Sequence, residues 1–439
     1  MNAGGGDMND ILRVGIAGLG TVGAAVVRLL EAQSADLAAR TGKKIMVTGV
    51  SARDPARERG IDLSGATWFA TPKELAVSEN IDLFVELIGG DEGAARESVE
   101  AALNSGKSVV TANKALLARH GIALARLAEQ HGAALAFEAS VAGGIPIVKT
   151  LREGLAGNRI ERVYGILNGT CNYILSRMEL EGLSFAECLA EAQKLGYAEA
   201  DPTFDVGGFD TAHKLAILAS LAFGVKLDAE AISIEGVQDI SLADLHAADE
   251  LGYRVKLLGV AQRTSHGVEQ RVHPTMVPLS SSIAQVMGVT NAVTVDADAV
   301  SELTLVGPGA GGMATASAVV ADIADIARGI RSAPFGLPVD HLAPAQKSPM
   351  QRHEGGYYIR LAVRNQIGAA AAIATRMAEH EISLESIVQR RARDGDDSVA
   401  PVVLVTYATT EASVRQALAQ IVKDGHVADK PQVIRIERE

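Results

Sequence analysis

Cysteine, long apolar runs and basic clusters are scarce in this sequence, and each absence excludes a class of protein. The two cysteines, Cys171 and Cys188, are too few for a disulfide framework and lack the spacing of a metal site. Such a content suits a reducing compartment. No apolar run reaches the ~20 residues of a membrane-spanning helix, and residues 1–10 have neither the basic nor the apolar segment of a signal peptide. We therefore expect a soluble, cytoplasmic protein.

Positive charge is also in short supply. The chain has 41 lysines and arginines against 53 acidic residues, a net charge of −12. With no long basic run to offset this charge, we expect neither a nucleic-acid nor a membrane partner. The ten histidines are scattered, so no ligand cluster for a catalytic metal stands out. A length of 439 residues with 48% hydrophobic content predicts about two to four domains, each with its own core.

The chain begins with a strand, a glycine turn and a helix. Residues 12–17 (LRVGIA) are apolar and β-rich, GLGTVG follows, and AAVVRLLEA has the apolar spacing of a helix. In this context a G-x-G-x-x-G sequence predicts a dinucleotide-binding turn. Its first glycine permits the turn, the second lets a pyrophosphate approach, and the third lets helix and strand pack closely, while the helix N-terminus offers N–H groups to the phosphates. The predicted cofactor contacts are Gly18, Leu19, Gly20, Thr21, Val22 and Gly23.

The following segments alternate between strands and helices. IMVTGVSA, IDLFVELIGG, SVVTANK and ALAFEAS are β-like and are separated by helical or polar stretches. This alternation predicts a Rossmann-type doubly wound parallel sheet over residues 1–145. Because ligands of such sheets bind beyond the carboxyl ends of the strands, we expect Ile88, Gly89 and Lys114 to contact the cofactor.

The end of the second strand bears on which dinucleotide binds. It contains Ser51 and Arg53, with no carboxylate before Asp54. A hydroxyl and a guanidinium suit the 2′-phosphate of NADP better than the free ribose of NAD. The sequence therefore favours NADP with Arg53 as a contact, and NAD stays open.

Beyond residue 145 the alternation loosens. We assign residues 146–311 to an α+β substrate and dimerisation domain, and residues 312–335, a long apolar helix after a glycine turn, to the first domain again. Within the substrate domain, the stretch GYAEADPTFDVGGFDTAHK crowds four carboxylates and a lysine just before the apolar run LAILASLAF. Asp210 and Lys214 are spaced i, i+4 and share a helix face. Such a pair is either an exposed salt bridge worth about 0.3–0.5 kcal/mol or a proton relay in a buried site.

Six segments in a fixed order give a more specific indication. GLGTVG, TANK, FEASVAGGIPI, GILNGTCNYIL, AEADPTFDVGGFDTAHK and GPGAGGMATA together resemble homoserine dehydrogenase over about residues 10–335. The glycine turn alone is a weak signal, whereas ILNGT combined with the acidic stretch is specific. The resemblance implies NAD(P)-dependent interconversion of L-homoserine and L-aspartate 4-semialdehyde, within threonine and methionine biosynthesis, by a homo-oligomer.

The resemblance also assigns roles to charged residues. Lys214 matches the proton donor or acceptor, with Asp210 at its side, and Glu199 is a natural partner for the substrate ammonium. Lys114 matches a lysine beside the nicotinamide and the substrate, where a cation stabilises negative charge. We expect Asp205 to line the same pocket.

Two glycine-rich segments carry further expectations. Gly311, in GPGAGG, matches a glycine that contacts the cofactor. For FEASVAGGIPI the resemblance implies a structural sodium ion held by the backbone carbonyls of Glu138, Val141, Gly143 and Ile145, and such oxygens suit a hard cation. By composition alone, this segment is a glycine-bent connector.

The C-terminal part reads as a regulatory module. Residues 336–355 hold three prolines and predict a linker, and residues 356–439 follow the order βαββαβ of a ferredoxin-like fold. This module resembles an ACT domain, with RNQIG at the first strand–helix turn as the expected ligand site, although Asn365 stands where most relatives carry an acid. The resemblance implies feedback inhibition by threonine. A dimerisation module without a ligand is the alternative.

Two other functions stay open on the residues alone. A phosphorylating semialdehyde dehydrogenase also joins a Rossmann domain to a second domain, and Cys171 would be its thiolate nucleophile. A non-catalytic amino-acid sensor would bind the cofactor without turnover and would use the C-terminal module.

Overall fold

A six-stranded parallel sheet forms the N-terminal part of the computed structural model, which describes residues 11–345, 353–389 and 399–437. Its strands lie in the order β3-β2-β1-β4-β5-β6, where β1 is Ile11–Ala17, β2 Lys44–Ser51, β3 Thr67–Trp68, β4 Leu83–Glu86, β5 Ser108–Thr111 and β6 Leu135–Ala136. The helices are α1 (Thr21–Ala32), α2 (Ser34–Thr41), α3 (Pro72–Val77), α4 (Ala94–Asn104) and α5 (Lys114–Gln130). This strand order is that of a Rossmann fold and confirms the predicted doubly wound sheet.

Apolar side chains cover both faces of this sheet. Strands β4 and β5 are buried at every position, as expected for parallel strands with helices on either side. On one side Leu75, Val99 and Leu116 belong to one buried cluster, and on the other Val26 packs in a second cluster. The carboxyl ends of the strands therefore open at one edge, where a ligand can bind.

The middle of the chain adds a second, mixed sheet. Its elements are α6 (Ala139–Ala142), α7 (Ile147–Lys149), a π-helical turn (Thr150–Gly154), β7 (Ile160–Ile166), α8 (Gly169–Glu181), α9 (Phe185–Lys194), α10 (Thr203–Val206), α11 (Phe209–Phe223), a 3₁₀ turn (Ala229–Ala231), β8 (Ser233–Ile234), α12 (Leu242–Glu250), β9 (Tyr253–Thr264), β10 (Gly267–Pro278), a 3₁₀ turn (Ser282–Gln285), β11 (Thr290–Ala297) and β12 (Ser301–Pro308). Strands β12, β11, β7, β9 and β10 lie side by side, with β8 paired to β10.

The chain then returns to the first domain through α13 (Gly312–Ala327). Its buried Val319 lies in the same apolar cluster as Val26 of α1. A Cβ added to Gly312 would lie 3.0 Å from the side chain of Thr21, so α13 starts against the glycine turn. A 3₁₀ turn (Val339–His341) follows.

The C-terminal domain has the predicted βαββαβ order. It consists of β13 (Glu354–Arg364), α14 (Ala369–Glu379), β14 (Leu384–Gln389), β15 (Val399–Thr406), the short β16 (Thr409–Thr410), α15 (Glu411–Lys423) and β17 (Gln432–Ile436). The strands lie in the order β17-β13-β15-β14, which confirms the ferredoxin-like prediction. Two predicted features lie partly outside the described residues: residues 346–352 of the linker, and residues 390–393 at the end of the predicted strand SLESIVQRRAR.

The substrate domain and the C-terminal domain share one sheet. Strand β17 runs parallel to β10, with Arg435 opposite Thr275 and Ile436 opposite Met276. The continuous sheet gives the C-terminal domain a direct structural path to the substrate domain. Within the described residues, no helix is both long and apolar enough to cross a membrane.

Candidate active site

One carboxylate and two lysines meet beside the end of the first sheet. The Oδ1 atom of Asp210 lies 2.9 Å from the Nζ of Lys114, and its Oδ2 lies 2.8 Å from the Nζ of Lys214. Lys214 also donates to the backbone carbonyl of Leu167 at 2.7 Å. Asp210 is only 4% exposed. The i, i+4 pair is therefore a buried cluster with a third charged partner, and the exposed salt bridge is excluded.

Helix ends hold these groups in place. Gly208 precedes α11 with a φ of +89°, a left-handed conformation that glycine adopts without strain. Asp210 lies in the first turn of α11, where the helix dipole favours a negative charge. Lys114 is the first residue of α5, where a cation is unfavourable. The ion pair with Asp210 offsets that cost.

Asn168 joins the two acids of the site. Its Nδ2 donates to Asp205 Oδ1 at 2.8 Å and to Asp210 Oδ2 at 2.9 Å. Its Oδ1 accepts the backbone N–H of Cys171 at 2.9 Å and so caps α8. The sequence analysis gave Asn168 no role. Its position directly before a helix, within ILNGT, was the available signal.

These side chains line a cavity of about 710 Å³, a size typical of small-ligand sites. The lining includes Lys114, Asn168, Asp205, Asp210, Lys214 and residues 307–311. Gly311 is thus at the cavity, and the next residue packs against Thr21 of the glycine turn. The cavity and the turn are therefore adjacent.

The charges in the cavity fix its ionisation. Burial opposes the charge of Asp210, but the ammonium groups of Lys214 and Lys114 outweigh it and hold the pKa of Asp210 below its ordinary value. Burial raises the pKa of Asp205, and the charge of Asp210 raises it further against the hydrogen bond from Asn168. The two acids therefore differ: Asp210 is a permanent anion, and Asp205 binds a proton more readily.

The glycine turn has space on its outer side only. A Cβ at Gly18 would lie 2.4 Å from the carbonyl oxygen of Leu87, and one at Gly23 would lie 2.0 Å from that of Gly18. At Gly20 a Cβ would meet nothing within 4 Å. In addition, α1 begins without a side-chain cap, so its first N–H groups face outward. This geometry fits a dinucleotide pyrophosphate approaching at Gly20.

A buried glutamate shapes the neighbouring loop. Glu86 ends β4 fully buried, and its Oε1 accepts the backbone N–H groups of Ile88 and Gly89 at 2.8 and 3.0 Å. Its Oε2 accepts the hydroxyl of Thr111 at 2.5 Å, and Asn113 binds the carbonyl of Gly90 at 2.6 Å. Glu86 thus holds the loop at the strand end. The sequence analysis named the loop and missed this glutamate.

At the end of β2 the structure adds a second arginine. Arg53 is exposed, whereas Arg59 donates to the carbonyl of Leu19 at 3.0 Å and lies 5.9 Å above the Trp68 ring. Both arginines therefore lie in the segment that follows β2, and one of them contacts the glycine turn.

The predicted sodium segment surrounds α6. The carboxylate of Glu138 accepts the backbone N–H groups of Val148 and Lys149, both at 2.8 Å. Gly143 turns the chain with a φ of +54°. The Glu138 carboxylate is thus engaged with two amides, and the carbonyl of Ile145, one of the predicted ligands, accepts the N–H of Ile147 at 2.8 Å. The sodium site stays a prediction.

Two other candidates are not part of the ion-paired cluster. Glu199 is exposed, although its neighbours Gly196 and Tyr197 line the cavity. Cys171 is fully buried, and burial, followed by the charges of Asp205 and Asp210, raises the pKa of its thiol well above the ordinary value. A thiolate nucleophile needs the opposite shift, so the site does not suit Cys171 catalysis.

Comparison with known proteins identifies the family. Three family models match the chain: homoserine dehydrogenase at residues 146–324, the homoserine dehydrogenase NAD-binding domain at 18–138 and the ACT domain at 357–426. A homoserine dehydrogenase of Pseudomonas aeruginosa is 44% identical over 433 residues, covering 97% of this chain and 99% of the relative. The chain belongs to the homoserine dehydrogenase family.

Solved homoserine dehydrogenases share the architecture. A structure from Thiobacillus denitrificans is 42% identical, has a TM-score of 0.92 and covers 97% of this chain and 98% of its own. A hyperthermophilic archaeal homoserine dehydrogenase in complex with NADPH is 27% identical, with a TM-score of 0.62 over 73% of this chain and 98% of its own. The protein is thus a homoserine dehydrogenase, an NAD(P)-dependent oxidoreductase that interconverts homoserine and aspartate 4-semialdehyde. It also has a C-terminal ACT domain.

Proposed function

We propose that Lys214, Asp210 and Lys114 are the catalytic residues of this homoserine dehydrogenase. The observation that carries the proposal is the buried Asp210 carboxylate, which binds both lysines at one wall of the cavity. A buried ion pair contributes little to stability. Because this cluster lies at the cavity beside the glycine turn, we assign it a role in the reaction.

Lys214 moves the proton of the reaction. Lys214 donates to Asp210 and to the Leu167 carbonyl, and its third N–H is left for a substrate oxygen in the cavity. In the reduction of the semialdehyde its ammonium gives a proton to the developing alkoxide, and in the oxidation of homoserine the amine takes the hydroxyl proton back. Asp210 stays ionised throughout and balances the positive charge that Lys214 gains.

Lys114 and the remaining acids hold the substrate. The Lys114 ammonium is one-third exposed and faces the cavity, so it can bind the substrate oxygen where negative charge develops. Asp205 lines the cavity and is a ligand for the polar end of the substrate. Glu199 remains the proposed partner of the substrate ammonium, in the same loop as the cavity-lining Tyr197.

For the cofactor we propose a preference for NADP. When bound, the nicotinamide accepts or gives the hydride. Gly18–Gly23 and the start of α1 would hold the pyrophosphate, residues 88–89, Lys114 and Gly311 would contact the nicotinamide half, and Arg53 would bind the 2′-phosphate. Arg53→Ala is expected to raise KM for NADP by about tenfold and to leave KM for NAD unchanged, because one charge-assisted bond is worth about 1.5 kcal/mol.

A structural sodium ion and a homo-oligomer complete the proposal. The carbonyls of Glu138, Val141, Gly143 and Ile145 would hold the ion between the first domain and the substrate domain. A cytoplasmic location stays a prediction from composition.

Threonine is the proposed regulator, acting through the ACT domain. Support comes from the match of that domain and from the sheet that β17 and β10 share. Feedback inhibition is expected to appear as threonine-dependent loss of homoserine oxidation, and a rate that is unchanged at saturating threonine would contradict it.

The catalytic assignment is tested with Lys214→Ala, and Lys194→Ala, an exposed lysine on α9, is the matched control. General acid–base groups contribute about 10²–10⁴-fold to a rate, so kcat should fall by about that factor in Lys214→Ala and stay unchanged in Lys194→Ala. Cofactor affinity, measured by fluorescence titration, should be kept in both. A folded Lys214→Ala enzyme with kcat within a few-fold of wild type would show that another group moves the proton.

A further inference from the structure

One amide at the cavity of the candidate active site has an oxygen atom without a partner. Asn291 lines that cavity and is 1% exposed. Its Oδ1 atom is buried and has no hydrogen-bond partner among the described residues. A buried acceptor without a partner is costly, and native structures seldom keep one without a use. The roles proposed for Lys214, Asp210 and Lys114 do not involve Asn291, so the oxygen indicates a further contact with a ligand.

Close packing fixes the place of this amide. Asn291 lies in β11 opposite Gly307 of β12. A Cβ on Gly309 would lie 2.0 Å from both the Cγ and the Nδ2 of Asn291, so only a glycine leaves room for the amide. At the start of α8, a Cβ on Gly169 would lie 3.4 Å from the Oδ1. The amide therefore packs against the GPGAGG segment and against the first residue of α8.

Buried side chains hold the segment 286–290, which leads into Asn291. The Nδ2 of Asn172 donates to the carbonyls at both ends of this segment, at 3.1 and 3.2 Å. Lys256 is 1% exposed and donates to the first of these carbonyls at 2.6 Å and to the Oδ1 of Asn172 at 2.9 Å. Because the backbone before it is fixed in this way, Asn291 presents a preorganised acceptor to the cavity.

The surroundings of Asn291 favour the cofactor as the source of the missing donor. Gly309 contacts its amide, and three residues later Gly312 lies against Thr21 of the glycine turn. Gly311, between them, lines the cavity and is a proposed cofactor contact. No described hydrogen bond or ion pair of the charged cluster includes Asn291. The oxygen is therefore joined to the dinucleotide side of the cavity.

The nicotinamide ring has the complementary group. Its carboxamide ends in an NH₂ with two N–H donors, the same group that an asparagine side chain carries. The other N–H donor of the reaction, the substrate ammonium, already has a proposed partner in Glu199. An amide oxygen without a donor and a carboxamide without an acceptor satisfy each other.

We propose that the Oδ1 of Asn291 accepts a hydrogen bond from the carboxamide NH₂ of the bound nicotinamide and so fixes the rotation of the ring. This inference rests on the proposed cofactor site and adds a residue at its nicotinamide end. Hydride transfer uses one carbon and one face of the ring, so an acceptor that fixes the ring contributes to the rate as well as to affinity.

Calorimetric titration of the full-length protein with two coenzymes tests the contact. The probes are NADP and its 3-acetylpyridine analogue, in which a methyl group replaces the carboxamide NH₂. Wild type should bind NADP about 3- to 10-fold more tightly than the analogue, as expected for one hydrogen bond. Asn291→Ala, which lacks the acceptor, should bind both equally. Asn291→Asp, which keeps an acceptor oxygen, should retain the preference.

The ratio of the two affinities is measured within each variant, so a general weakening of coenzyme binding cancels. Val289→Ala is the matched control, because Val289 lines the same cavity and has no polar side-chain atom. Its preference for NADP should equal that of wild type. A preference that persists undiminished in Asn291→Ala would overturn the contact. Equal loss in Asn291→Ala and Asn291→Asp would show that the amide nitrogen is the required atom and would overturn it as well.

Two further measurements separate this inference from its alternatives. At saturating NADP, KM for homoserine should stay within about twofold in Asn291→Ala. A tenfold rise with an unchanged coenzyme preference would assign the oxygen to the substrate ammonium and overturn the inference. Gly23→Ala should weaken NADP and the analogue by the same factor. If Gly23→Ala weakens neither while Asn291→Ala removes the preference, the proposed pyrophosphate site fails and the carboxamide contact stands.

Discussion

Asn168→Asp tests the part of the site that depends on long-range contacts. The substitution keeps the size of the side chain and the oxygen that caps α8. It replaces the amide that donates to Asp205 and Asp210, at 2.8 and 2.9 Å, with a third carboxyl group. Two hydrogen bonds to charged groups are lost, at about 1.5–3 kcal/mol each. The expected loss of unfolding free energy is therefore about 3–6 kcal/mol if the new carboxyl is ionised.

The new carboxyl avoids part of this loss by binding a proton. Because two acids face it in a buried place, the folded-state pKa of the carboxyl at 168 should lie above its unfolded value. The loss of unfolding free energy caused by Asn168→Asp is then small below the unfolded pKa and increases as pH rises through the folded pKa. Activity should fall by at least about a hundredfold, since the two acids are no longer held together.

Urea unfolding at pH 5 and pH 8 provides the assay, with Asn158→Asp as control. Asn158 is half-buried and accepts the N–H of Val300, and it contacts neither Asp205 nor Asp210 among the described hydrogen bonds. Asn168→Asp should be destabilised more at pH 8 than at pH 5, and Asn158→Asp should differ from wild type by about 0.5 kcal/mol or less at both. Equal stability of Asn168→Asp and wild type at pH 8, with turnover within a few-fold, would refute this account of the site.

Three further predictions follow from single contacts. Gly23→Ala places a Cβ 2.0 Å from the Gly18 carbonyl, so dinucleotide affinity measured by fluorescence should fall about tenfold or more; unchanged affinity would argue against the turn. Cys171→Ser should keep homoserine oxidation within a few-fold, since no step uses the thiol, and abolished turnover of the folded variant would reopen its role. Burial and a neighbouring aspartate raise the pKa of Glu138 to about 7, so its contribution to stability is present below pH 4.5 and is lost as pH rises to 7. Urea unfolding from pH 4.5 to 7 should therefore show wild type losing roughly 3 kcal/mol relative to Glu138→Gln, and parallel curves would contradict it.

Local patterns predicted the fold and half of the charged cluster. The glycine spacing around Gly20 and the i, i+4 spacing of Asp210 and Lys214 act within one turn of chain, so the sequence shows them directly. The alternation of strands predicted the parallel sheet, and the order βαββαβ predicted the C-terminal domain. These features need no knowledge of distant partners.

Local sequence patterns could not predict contacts between residues that are far apart in the chain. Asn168 meets Asp210 across 42 positions, and Lys214 meets the Leu167 carbonyl across 47. Glu86 is a buried acid whose partners are backbone amides, and a pattern of residue types does not show such partners. The pairing of β17 with β10, which joins the ACT domain to the substrate domain, likewise depends on how two complete domains pack.

Chemical rescue of Lys214→Ala tests the central claim most directly. The rate of homoserine oxidation is measured as a function of added methylamine, with Asp210→Asn as the comparison. The account predicts a rate about 10²–10⁴-fold below wild type that rises with methylamine, more steeply at a pH where the amine is neutral, and no rescue of Asp210→Asn. A Lys214→Ala rate close to wild type, or a low rate that methylamine does not change, would contradict the role of Lys214 in moving the proton.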